Sequence, residues 1–354
     1  MTSTIVRTTV ELRSDTFTRP TPEMMAAIAR APLGDDVYGE DPTANELEER
    51  AAELLGKPAA CLVPSGTMAN LAAITAHCPR GSKALVGDQS DIYVYEAGGA
   101  SVCSGVVLEP VRTEPDGRLP VHRLAAALPE DPDDPQFAPP ALISVENSHN
   151  RCGGVPLPGA YLAEVAEFGR RQGMAVHLDG ARLFNAAVAL GVPVTELTRH
   201  ADSVQVCLSK GLSAPVGSVV AGDREFVDRV RRIRKMLGGG MRQVGVIAAA
   251  GIVALDTMVG RLAEDHANAR RLADGLAGIA GIEIDPARVR TNIVMFRVVD
   301  DRFSHESFIA RLADAGVRLA ELGRGQLRAV THRHVTAEDV DRVLAEVAAL
   351  LDPA

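Results

Sequence analysis

The stretch Gln205-Val-Cys-Leu-Ser-Lys210-Gly-Leu-Ser-Ala-Pro-Val-Gly217 decides how this chain is read. Val204 to Leu208 is a short, mostly apolar run with the composition of a buried strand. It is followed at once by a lysine with a glycine behind it. A lysine in that place has a poor route to bulk water, and desolvation lowers an amine's pKa and makes it a usable nucleophile. The same residues also fit a surface lysine at a strand end, because buried lysines are uncommon.

Upstream, Met174-Ala-Val-His-Leu-Asp179-Gly-Ala-Arg182-Leu reads as a second apolar strand, this one ending on an acid. Asp179, with Gly180 behind it, can point into a cleft, cap the helix expected over Leu183–Leu190, or do both. A strand-end aspartate paired with a strand-end lysine suits pyridoxal phosphate (PLP). The lysine forms the Schiff base, and the acid keeps the pyridine nitrogen protonated so that the ring works as an electron sink.

On His177-Leu-Asp179-Gly-Ala-Arg182-Leu and Leu208-Ser-Lys210-Gly-Leu-Ser-Ala-Pro-Val-Gly-Ser218, the sequence resembles the low-specificity L-threonine aldolases. These are PLP enzymes of the aspartate-aminotransferase-like class, fold type I. The resemblance runs from Leu12-Arg-Ser-Asp-Thr16 to Thr331-His332, with several motifs in the family's order. It implies an α/β fold, a large PLP-binding domain with a mostly parallel sheet plus a small C-terminal α+β domain.

The chain is long enough, at 354 residues, for a large core and one or two domains. A net charge of −9 argues against a nucleic-acid partner, which needs a basic face. No apolar run reaches the roughly 18 residues of a membrane span. Met1 to Val10 carries no apolar signal core, and the cysteines are five and scattered, without a CxxC pair. Those features fit a cytoplasmic protein with reduced thiols and no metal cluster.

In chain order, residues 1–20 are expected as an N-terminal arm. Pro22 opens a helix to about Arg30, and Thr43-Ala-Asn-Glu46 reads as a capping box for the next. Strands alternate with helices from about 57 to 222, including one near Ser101–Leu108. Polar residues gather at the strand ends, as in an open α/β sheet with ligands at the carboxyl edge. Helices are expected over 223–237, 241–257 and 260–277, with Gly238-Gly-Gly240 breaking the first two. A PLP-binding domain is drawn over 21–255 and a small domain over 256–354.

Ser65-Gly66-Thr67 opens a helix, where outward N–H groups and the dipole can hold an anion or the hydroxyls can simply cap. The resemblance makes this run the cradle of the cofactor phosphate. It also implies Lys210 as the Schiff-base lysine, Asp179 as the pyridinium partner, and Arg182 as a contact to cofactor and substrate carboxylate. Arg328, helped by Ser14, is implied as the carboxylate clamp, for which an Arg fork is suited. Lys235 and Arg242 are implied to reach an active site as substrate and phosphate contacts, and Tyr38 is implied as a substrate contact near the same subunit interface. Arg242 there serves a neighbour's phosphate site, in a homotetramer built as a dimer of dimers with shared active sites. The bland alternatives are a basic hinge around the glycines and a turn role for Ser14. In Glu146-Asn-Ser-His149-Asn, the resemblance places His149 near the substrate hydroxyl.

One position departs from the family. Members commonly carry a ring-stacking histidine just before the Tyr95-Glu96-Ala-Gly-Gly99 run, and here that place is Asp91. Asp91 is either a capping carboxylate in a turn or, with Lys210 and His149, a catalytic residue facing the cofactor. The function implied is cleavage of L-threonine, L-allo-threonine or a related β-hydroxy-α-amino acid to glycine and an aldehyde. A β-eliminating lyase or transaminase acting on a small amino acid, or a PLP-binding protein without turnover, remains as the alternative.

Overall fold

Residues 9–131, 133–323 and 325–352 are described by the structure, a computed structural model. Of the expected N-terminal arm, residues 1–8 lie outside the described residues. The chain divides into two compact units. Arg19–Gly260 forms the larger, and Arg261 onward forms the smaller together with the described residues before Arg19. The N-terminal segment is therefore part of the smaller unit, and its strand β1 (Val10–Glu11) is paired there.

The larger unit is built on one sheet. Its strands are β2 (Ala59–Val63), β3 (Lys83–Gly87), β4 (Val107–Val111), β5 (Pro140–Glu146), β6 (Ala175–Gly180), β7 (Ser203–Cys207) and β8 (Ser218–Gly222). Their order is β2-β8-β7-β6-β5-β3-β4, parallel from β4 through β7. Strand β8 runs antiparallel to both β7 and β2. Strands β7 and β8 are buried along their whole length, which is why they read as apolar runs without alternation.

Strand β2 lies at one edge of the sheet, and that edge is closed by side chains. The Leu62 N–H donates to Glu48 Oε1 at 2.8 Å, Arg231 donates to Ala60 O at 3.1 Å, and Arg234 donates to Leu62 O at 2.7 Å. Arg231 also pairs with Glu48, and Arg234 pairs with the buried Asp36 at 2.7 Å. An edge whose polar groups are already engaged is a poor template for another chain.

Several local expectations are corrected. The capping box at Thr43 does not form. Asp41-Pro42 outcompetes it, with proline fixed in the first turn and the Asp41 carboxylate accepting the Ala44 N–H at 3.0 Å. Thr43 instead donates to Pro32 O. The strand near Ser101–Leu108 begins only at Val107. Ala100–Ser104 is a π-helical turn, ended by Gly105 in the left-handed conformation. The helix expected from 241 starts at Gly245, where the second Asp41 oxygen accepts the Gly245 N–H at 2.9 Å. Asp41 thus ties two helix starts together. Asp41→Ala should cost about 2 kcal/mol of stability, more than Thr43→Ala, as measured by urea unfolding of the two variants.

The smaller unit pairs β1 in parallel with β11 (Val317–Arg318). A second, antiparallel sheet runs in the order β12 (Ala320–Glu321), β13 (Leu327–Val330), β10 (Ile293–Val298), β9 (Ile282–Glu283). Helices Leu262–Ala277, His305–Asp314 and Ala337–Leu351 pack on it through Leu272, Phe308 and Val343 among others. The capping box at Thr336 and Asp339 forms. The α/β architecture is the one expected, a large, mostly parallel sheet and a small α+β unit. Among the described residues, no single helix is long and apolar enough to cross a membrane.

Candidate active site

Three parallel strands of the larger unit end side by side. Their register sets Glu146 of β5 beside Asp179 of β6, and Asp179 beside Gln205 of β7. Residues opposed in a parallel ladder point to the same face, so two carboxylates and an amide meet there. Asp179 is 1% exposed. Its Oδ1 accepts from Gln205 Nε2 at 2.5 Å and from the Ala181 N–H at 3.1 Å, and its Oδ2 accepts from Asn70 Nδ2 at 2.9 Å. Burial, then the charge of Asp91, pushes the Asp179 pKa up, while Lys210 pulls it down. Asp179 is not the helix cap; Arg182 stands at that position.

Further acids surround it. Glu96 accepts the other Asn70 Nδ2 hydrogen at 2.8 Å, and burial followed by Asp179 pushes its pKa up to about 9. Glu146 is buried and pushed well above the carboxylate range by burial, then by Asp91 and Asp179. Its two oxygens accept the backbone N–H groups of Asp91 at 2.8 Å and Asn150 at 2.7 Å. Asp91 opens a short helical turn, Asp91–Val94, and its Oδ1 accepts from Asn150 Nδ2 at 3.0 Å. His149 is 1% exposed, its Nδ1 lies 3.9 Å from Glu146 Oε1, and neither ring nitrogen has a hydrogen-bond partner among the described residues.

Lys210 lies in the turn joining β7 to β8. Leu208 N–H donates to Gly217 O, Ala214 N–H to Leu208 O, and Ser213 N–H to Lys210 O, so the turn is held by its own backbone. The lysine is half-buried rather than sealed from water. Its charge pulls down the pKa of both Asp179 and Glu96.

The helix Gly66–His77 brings the Ser65-Gly66-Thr67 run to the same sheet edge. A Cβ added at Gly66 would lie 2.7 Å from Cys207 Sγ and 3.9 Å from Gln205 Oε1, so only glycine lets the helix start approach the end of β7. Ser65 caps it by accepting the Met68 N–H, and Ser65 and Thr67 are exposed. The first N–H groups of the helix then point outward along its axis.

Arg182 is buried just past β6, not spread on a solvated helix face. Tyr38 and Lys235 are exposed and line a cavity of about 560 Å³ together with Asp36 and Arg234. Arg242 is exposed and pairs with Asp35 at 2.9 Å. Ser14 and Arg328 belong to the smaller unit. There Arg328 Nη2 donates to Arg13 O at 2.9 Å, and Ser14 caps the turn Asp15–Phe17.

The beta-eliminating lyase family matches residues 11–301. The low specificity L-threonine aldolase of Escherichia coli K12 is 45% identical over 340 residues, covering 96% of this chain and 97% of that protein. The chain belongs to the low-specificity L-threonine aldolase family. Among solved structures, a Leishmania major threonine aldolase superposes with a TM-score of 0.80 at 20% identity, covering 97% of this chain and 99% of that one. A structure of SPT with PLP does so at 0.75 and 20%, covering 96% and 87%. Both share the fold of this threonine aldolase family member.

Within that family member, Glu146, Glu96, Asn70, Gln205 and Asn150 are hydrogen-bonded around Asp179 and Asp91, and sequence reasoning assigned none of them to the candidate site. Two had a usable signal. Gln205 is a polar side chain inside an apolar strand, and Asn70 lies one helical turn beyond the Ser65-Gly-Thr67 run.

Proposed function

We propose that this chain is a PLP-dependent aldolase, a carbon–carbon lyase that splits L-threonine, L-allo-threonine or a related β-hydroxy-α-amino acid into glycine and an aldehyde. The observation that carries the reading is the buried Asp179 carboxylate, placed between donors and within the electrostatic reach of Lys210. The residues fit PLP. Asp179, Glu96 and Glu146 form a recess short of positive charge, and a protonated pyridine nitrogen at Asp179 supplies one. The start of the Gly66–His77 helix suits the phosphate. When bound, PLP supplies the electron sink that makes bond cleavage at Cα feasible.

The chain's own residues do the rest in this reading. Lys210 is the amine that holds the cofactor covalently. Ser65, Gly66, Thr67 and Arg182 position the cofactor, and Arg328 and Ser14 bind the substrate carboxylate. Asp91 or His149 takes the β-hydroxyl proton as the Cα–Cβ bond breaks. His149 is suited because its buried ring nitrogens have no hydrogen-bond partner among the described residues. The site is completed in a cytoplasmic homotetramer, a dimer of dimers, in which Arg242 serves a neighbour's phosphate site while Tyr38, near that interface, and Lys235 contact the substrate.

Two experiments test this. PLP-loaded protein given a panel of β-hydroxy amino acids should yield glycine and the matching aldehyde; ammonia and a keto acid as the main products would mark a β-eliminating lyase instead. Mixed oligomers of Lys210→Ala and Arg242→Ala chains should regain activity above either parent, because some sites are then intact. Tagged hybrids that form and recover nothing would refute the shared site.

A further inference from the structure

A line of hydrogen bonds leads away from Asp179 through the larger unit. Asn70 Nδ2 donates to Asp179 Oδ2 at 2.9 Å, and Asn70 Oδ1 lies 3.1 Å from His177 Nε2. His177 Nδ1 lies 2.8 Å from Ser203 Oγ, and Ser203 Oγ lies 2.8 Å from His77 Nε2. All the bonds are within normal hydrogen-bonding range. Asn70 and His77 stand seven residues apart on one helix, so they share the face that lies on β6 and β7. The His77 ring is stacked on Phe226 at 4.5 Å between centroids, which fixes its plane.

The direction of every bond follows from elementary donor and acceptor rules. With Asp179 ionised, as its role opposite a protonated pyridine nitrogen requires, both of its oxygens only accept, Oδ1 from Gln205 and the Ala181 N–H and Oδ2 from Asn70. The Asn70 amide must then turn its two N–H groups to Asp179 and Glu96, leaving its oxygen for His177. That oxygen cannot donate, so His177 carries hydrogen on Nε2. Burial pulls the His177 pKa down to about 3, so the ring is neutral and its Nδ1 is bare. Ser203 must therefore donate to His177 Nδ1, and its oxygen accepts from His77 Nε2–H. Burial also pulls His77 down to about 4, against the charge of Asp202, so that ring is neutral as well.

We infer that His77, Ser203, His177 and Asn70 are positioning residues forming a one-way relay whose donors all point toward Asp179, holding its carboxylate ionised in a buried site. Aligned donors polarise one another, so the last hydrogen bond to Asp179 is stronger than an isolated amide would give. The inference deepens the reading of Asp179 as the partner of a protonated pyridine nitrogen and rests on it for its functional meaning. The relay itself exists without the cofactor.

The test uses cofactor-free full-length protein. With ¹⁵N-labelled histidine, NMR near neutral pH should show His77 and His177 both neutral, protonated on Nε2 and bare on Nδ1. Hydrogen on His177 Nδ1 overturns the relay. With ¹³C-labelled aspartate, His177→Phe should raise the Asp179 titration midpoint by about one unit or more, because a donor chain is cut. His177→Gln, which can still donate to Asn70, should restore most of it. An unchanged midpoint in the Phe variant also overturns the proposal, and if that variant does not fold, the wild-type tautomers decide. Failure of the wild-type protein to gain visible absorbance with PLP would count against the cofactor reading alone.

Discussion

Lys210→Ala should abolish covalent attachment of PLP and lower turnover by several orders of magnitude. After borohydride treatment of the PLP-loaded wild type, mass spectrometry should find the cofactor fixed to the peptide containing Lys210, and the variant should show none. The geometry gives the substitution a second effect. Lys210 is a cation acting on both Asp179 and Glu96, so its loss lets their pKa values rise further. The variant should therefore bind PLP more weakly as well as fail to hold it. A variant that retained borohydride-fixed cofactor and near-normal turnover would remove Lys210 from the role.

Asp91→Asn should slow cleavage of the best β-hydroxy substrate by at least ~10²-fold while leaving the visible spectrum of bound PLP unchanged. The substitution is nearly isosteric, and the oxygen of the new amide would keep the bond from Asn150 that Asp91 now accepts. The backbone N–H to Glu146 is untouched. What is lost is a carboxylate able to take a proton, so the effect should fall on kcat rather than KM. Asp91→His should in addition change the preference between threo and allo isomers, since the group near the hydroxyl changes length. Cleavage at near the wild-type rate by Asp91→Asn would make Asp91 a turn residue and leave His149, whose ring nitrogens have no hydrogen-bond partner among the described residues, as the base.

The strand-end residues were legible because burial writes itself into composition. Val204–Leu208 and Met174–Leu178 are too apolar for anything but the sheet interior, so the polar residues that follow must stand at its edge. Helices with local stop and start signals were also legible. Pro22–Arg30, Leu183–Leu190 and Ala337–Leu351 have the bounds that their proline, glycine or capping residues suggest. What was not legible depends on register and competition. Nothing local says that Glu146, Asp179 and Gln205 share a row, because that follows from how three distant strands align. Thr43 offered a good cap, but Asp41 made contacts to Gly34 and Gly245 as well as Ala44 and prevailed. The two-residue strands β1, β9, β11 and β12 are too short to carry a pattern. The depth of Lys210 also escaped sequence reasoning, since glycine behind a lysine does not say how far the turn opens.

The closed edge at β2 carries a consequence for biogenesis. Strand β2 emerges from the ribosome long before β8, its partner, so an apolar segment must wait while the intervening sheet is made. Glu48 precedes it and can occupy the Leu62 amide early, but Arg231 and Arg234 arrive only after β8. A nascent or truncated chain ending before Arg224 would present the outer edge of Ala59–Val63 without its two arginines, with the carbonyls of Ala60 and Leu62 open, the kind of edge that chaperones bind and that seeds aggregation. The two arginines thus act as a late latch on the order in which this chain can safely be synthesised.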